Sequence, residues 1–174
     1  MKKLLLILLC LPMIGLGQNL TDEEIKLYNL IMEYRKEKSL PSIPLSNSLT
    51  FVAQTHVKDL VDNNPDQSSN CNMHSWSNKG NWTPCCYTSD HARAKCMWNK
   101  PSELTSYKGN GYEISFWSSG EVTAEGALSG WKGSSGHNAV IINQGGWRNS
   151  SWKAIGIGIY KNYAAVWFGK LYDD

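Results

Sequence analysis

The sequence predicts an α+β fold in which helices cover an antiparallel sheet. Three observations carry that reading. Two amphipathic helical patterns open the chain behind its leader, a further helix lies beyond the middle, and two strand patterns joined by a two-residue turn close it. No internal repeat interrupts that order.

The first residues read as an export signal. Lys2 and Lys3 supply the positive start, Leu4 to Leu11 an apolar run, and Gly15-Leu16-Gly17 a small-x-small cleavage site before Gln18. The apolar run is far short of the ~20 residues that span a bilayer, so stable membrane insertion is not expected. Cys10 follows bulky Leu9 rather than a small residue, which argues against a lipid anchor there. Removal of residues 1–17 leaves 157 residues, enough for one domain over 18–174 and too few for two.

Thr21-Asp22-Glu23-Glu24 forms a capping box, with Leu20 and Ile25 placed as a hydrophobic staple. Ile25, Tyr28, Ile31, Met32 and Arg35 continue at helical spacing until Pro41 ends the pattern. A second helix is expected from about Ser46 to Asp62, burying Leu49, Ala53, His56, Val57 and Leu60. His56 shares that apolar face and reads as a core residue. Between 63 and 110 the composition turns to Asn, Ser, Gly, Trp and Cys without a sustained period, which predicts a long loop region. Tyr112 to Trp117 is β-prone. Thr123 is placed to cap a helix running to about Lys132, with Glu125 near its positive end. The apolar run Ala139–Ile142 follows. The strands Ala154–Tyr160 and Tyr163–Phe168 flank Lys161-Asn162, a two-residue hairpin turn in which Asn162 is able to take positive φ.

Cys71, Cys85, Cys86 and Cys96 survive processing. An even set clustered in an exported chain predicts two disulfides, which would hold the long loop still. Neighbouring cysteines rarely satisfy bridge geometry, so Cys71 pairs with one of Cys85 and Cys86, and Cys96 with the other. A zinc site built from these thiols and His91 is the competing arrangement, disfavoured by an oxidising compartment.

The chain carries 17 Lys+Arg against 15 Asp+Glu, and loss of Lys2 and Lys3 brings the balance to zero. No basic field exists to draw nucleic acid or an anionic membrane surface.

Several short motifs resemble one family in order along the chain. They are Ala53-Gln54 on the second helix, His74-Ser75, Gly111-Tyr112-Glu113-Ile114, Trp131-Lys132-Gly133-Ser134-Ser135-Gly136-His137, and the closing Ala154–Gly158 with Val166–Gly169. Over residues 20 to 170 the sequence is similar to the CAP superfamily of secreted proteins. That resemblance implies a three-layer α-β-α sandwich with a central antiparallel sheet, and a cleft holding two histidines and two glutamates. Position by position it assigns His74 and His137 as the histidines and Glu113 as the first glutamate. Ser134 stands where the second glutamate normally lies.

Two imidazoles can hold a divalent ion such as zinc, and Glu113 could orient one of them or act as a base on bound water. The expected function is a secreted binding module whose cleft holds a metal and binds an apolar (lipid or sterol) or carbohydrate ligand. A metal-dependent hydrolase using Glu113 as base, and a structural surface protein in which the trio is only a polar network, are the alternatives. All eight tryptophans follow residue 75, and Trp76, Trp82 and Trp98 fall with Tyr87 in the Cys-rich segment. These rings serve either as recognition surface or as a small core beneath the loop.

Overall fold

The computed structural model describes residues 19–68 and 70–173; the expected export signal lies outside the described residues. Helix α1 spans Asp22–Glu37 and begins with the capping box, in which Glu24 N donates to Thr21 Oγ1 and Thr21 N to Glu24 Oε2. Glu24 is buried because its carboxylate also accepts from Ile159 N and Gln54 Nε2, tying α1 to its neighbours. Leu20 packs on the core, whereas Ile25 stays 43% exposed. Helix α2 spans Asn47–Asn63, capped by Ser46, whose hydroxyl accepts from Leu49 N.

Segment 63–110 differs from the expected loop. It contains two five-residue helices, α3 (Ala94–Trp98) and α4 (Lys100–Leu104), each too short to show a hydrophobic period in sequence. The disulfides join Cys71 to Cys86 and Cys85 to Cys96, one of the two pairings that sequence left open. All four thiols are consumed, so the thiolate–His91 zinc arrangement is ruled out. The cross-links frame a small hairpin in which Trp76 and Cys85 exchange backbone hydrogen bonds. Buried Lys100 donates to Glu103 and to the carbonyl of Thr83, anchoring the loop to α4.

Strand β1 (Gly111–Trp117), helix α5 (Ala124–Gly133), helix α6 (Ser135–Ile141) and strands β2 (Ala154–Tyr160) and β3 (Tyr163–Gly169) complete the chain. The apolar run from Ala139 thus lies mostly in a helix. Thr123 caps α5 through its hydroxyl, as expected. In the hairpin turn Lys161, not Asn162, takes positive φ (50°).

The sheet is antiparallel with order β1-β3-β2. Successive side chains of β3 enter opposite cores, so both faces are covered. Tyr163, Ala165 and Trp167 meet the α2 side, while Ala164, Val166 and Phe168 meet the side of α1, α5 and α6. On β2 the positions facing α2 include Gly156 and Gly158. A Cβ there would lie 2.0 Å from the Leu49 carbonyl carbon and 2.4 Å from that of Ala53, so the bare backbone lets α2 touch the sheet directly. Along the outer side of β1, Trp131 Nε1 donates to the Ser115 carbonyl at 3.0 Å, capping an edge group that would otherwise lack a partner. Among the described residues, no helix is long and apolar enough to cross a membrane.

Candidate functional site

Glu113 sits mid-strand on the outer strand β1, opposite Trp167 of β3. Its side chain is fully buried, and both carboxylate oxygens are engaged: His56 Nδ1 lies 2.5 Å from Oε1 and His74 Nδ1 lies 2.8 Å from Oε2. His56 arrives from α2. Its other ring nitrogen lies 2.9 Å from the Ser75 carbonyl, and its ring stacks on Trp76 at 4.3 Å. Both partners of His56 are pure acceptors, so both its nitrogens must carry protons. The ring is a buried imidazolium paired with a carboxylate.

Burial alone would push the Glu113 carboxyl up. The charge and hydrogen bond of His56, then the hydrogen bond of His74, outweigh burial and hold it down to about 2. Burial also opposes the His56 charge, but Glu113, the Ser75 carbonyl and more distant Asp59 together raise its pKa above the usual imidazole value.

His74 is placed by the disulfide-framed hairpin, where its backbone N–H donates to Asn72 Oδ1. The Nδ1 of His74 faces Glu113, so Nε2 is the ring nitrogen left to the cleft, an acceptor whenever the ring holds a single proton on Nδ1. His137 projects from α6 on the opposite bank of β1, and both rings line one cleft of about 430 Å³. Burial, and then the nearness of His74, lower the pKa of His137. The remaining lining is chiefly apolar and aromatic: Tyr87, Met97, Trp98, Tyr112, Val140 and Trp147.

The three residues matched through the resemblance therefore converge. Ser134 lies at the junction of α5 and α6, outside the residues lining the cleft. His91 is exposed at the rim, where Nδ1 meets the Tyr87 hydroxyl at 2.9 Å. The aromatic residues divide between the two expected roles. Trp76 is core, with Trp82 packed against it, whereas Trp98 and Tyr87 face the cleft. His56 is buried as expected but belongs to the site, a role the sequence reading missed. A signal was present: an ionisable ring on an apolar helix face requires a buried polar partner.

Among the described residues no three His, Cys, Asp or Glu side chains are arranged to hold a metal. The site presents two imidazoles and a carboxylate whose oxygens are already spent. That falls short of the three protein ligands usual for catalytic zinc and the four of structural zinc.

A family model described as CAP, the cysteine-rich secretory protein family, matches residues 28–168. Among curated proteins none matches the chain in sequence. Solved structures that share the fold at low identity include three bacterial proteins. An outer surface protein of Borrelia burgdorferi superposes with TM-score 0.56 at 19% identity, covering 87% of this chain and 96% of its own. An extracellular protein of Bacillus anthracis containing an SCP domain gives 0.55 at 18%, covering 86% of this chain and 40% of its own. A cysteine-rich secretory protein of Staphylococcus aureus gives 0.54 at 18%, covering 90% and 40%. The chain thus spans about two fifths of the latter two proteins.

Proposed function

The chain belongs to the cysteine-rich secretory protein family, and from that premise we propose that it is a secreted binding module whose β1 cleft takes a small ligand with an apolar body and a hydroxyl end. The observation that carries the reading is the cleft itself, about 430 Å³ with largely aromatic and aliphatic walls and the imidazoles of His74 and His137 beside Glu113. A hydroxyl both donates and accepts, so it can pair with the free Nε2 of His74 in either role that nitrogen takes. A sterol or long-chain alcohol fits this chemistry better than a carbohydrate, which would need more polar partners than these walls offer. Export is supported by the leader pattern, by two disulfides that persist in an oxidising compartment, and by the extracellular or surface descriptions of similar structures.

Zinc fits this cleft poorly. An ion there would draw on His74 and His137 and fill its remaining positions with water. Catalysis with Glu113 as base is also poorly supported, because a fully buried carboxylate held near a pKa of about 2 is a weak proton acceptor.

Titration of the mature chain with dodecanol, followed by the emission of cleft residues Trp98 and Trp147, tests the reading. Saturable binding is expected, stronger than for dodecane and weakened up to about tenfold in His74→Phe through loss of one hydrogen bond. Zinc added first should compete only weakly. Unchanged binding in Met97→Trp, which fills the cleft, would remove the site assignment.

A further inference from the structure

A second cavity, of about 350 Å³, opens beside the α1–α2 connection and the segment leading into β2. Arg35, Ser42, Asn143, Arg148, Ser150 and Lys153 line it, and no acidic side chain does. Arg35 is 2% exposed and, among the described residues, has no carboxylate partner. Its Nε and Nη2 donate to the Pro41 carbonyl at 3.2 and 3.0 Å, and its Nη1 to the Ile141 carbonyl at 2.5 Å and Asn143 Oδ1 at 2.7 Å. These neutral acceptors take four of the five guanidinium protons and none of the charge. Burial lowers the Arg35 pKa to about 10, which leaves it cationic at neutral pH.

Burying a charge without a counter-charge is costly even when hydrogen bonds satisfy it. The surroundings add to the deficit instead of relieving it. Asn143, at φ 51°, donates from Nδ2 to the Ser150 carbonyl at 2.8 Å, so the amide that receives Arg35 also fixes the loop carrying Arg148. Arg148 and Lys153 likewise have no ion-pair partner among the described residues. A chain whose mature charge balances to zero thus gathers three cations and several hydroxyls around one cavity.

We propose that this cavity is a binding site for a tetrahedral oxyanion, phosphate or sulfate, with the Arg35 guanidinium at its floor and Arg148 and Lys153 at its rim. The one N–H left on Arg35 can give a single charge-assisted contact, exposed Arg148 can give a bidentate one, and the serine hydroxyls supply further donors. The site is separate from the β1 cleft and shares no lining residue with it.

The test is calorimetric titration of the mature chain with sodium phosphate, against sodium chloride at equal ionic strength. Saturable heat with phosphate alone is expected, and Arg148→Gln combined with Lys153→Gln should weaken it about tenfold or more. Those rim residues leave the Arg35 bonds intact, so thermal melting should confirm that the double variant is folded. Glycerol 1-phosphate distinguishes the source of the anion: tighter binding than phosphate assigns the terminal group of a larger ligand, and equal or weaker binding the free ion. Heats equal to those of chloride, or a double variant that binds as wild type does, would overturn the site.

Discussion

At the scale of single residues, the site is governed by how Glu113 is satisfied. A carboxylate with two imidazole partners and no exposure is a structural charge first, and its partner His56 holds the second proton of an imidazolium. His56→Phe leaves that carboxylate with only His74. The expected cost is about 3–5 kcal/mol in urea unfolding, most of it recovered when Glu113→Leu is added. The pair also sets a pH window. Glu113 has its folded pKa near 2 against an ordinary 4.5, so its contribution is present above 4.5 and lost as pH falls toward 2. His56 has a raised pKa, so its contribution is complete below the ordinary value of 6.5 and lost as pH rises through the raised one. A melting profile of wild type minus the double variant should therefore be a plateau falling on both sides; a flat difference would refute the ion pair. His74, Glu113 and His137 were legible through their motifs, but periodicity gave only the face on which His56 lies, and a face does not name its partner across the sheet.

Among the elements, legibility followed length. The helices α1 and α2 and the closing hairpin announce themselves through caps, spacing and alternation, whereas α3 and α4 are single turns held by disulfides and by the Lys100–Glu103 pair. The Lys161 turn shows the same limit, since either residue of a two-residue loop can absorb the left-handed conformation once the strands fix its ends. What sequence did not show at all is how closely α2 lies on β2. Gly156 and Gly158 remove the side chains that would hold that helix off the sheet. Gly158→Ala places a Cβ against the Ala53 backbone, which cannot yield as a side-chain tip can. We expect a loss of more than about 2 kcal/mol, read as a lower urea midpoint, with the His56–Glu113 pair disturbed because His56 rides on that helix.

For the whole molecule, the cleft is a product of layering. His56 comes from one helical layer, Glu113 from the sheet, His137 from the other helical layer, and His74 from the cross-linked hairpin beside them. The layers could be anticipated from the order of helices and strands, but their meeting at the outer strand could not, because spacing along the chain carries no such information. The consecutive cysteines have a consequence of their own for a protein exposed to proteases. Cys85 reaches forward to Cys96 while Cys86 reaches back to Cys71, so the two covalent rings overlap across the peptide bond they share. Hydrolysis of any one peptide bond from Cys71 to Cys96 therefore nicks the polypeptide without parting it. Limited digestion there should yield one band on a non-reducing gel and two once the bridges are reduced.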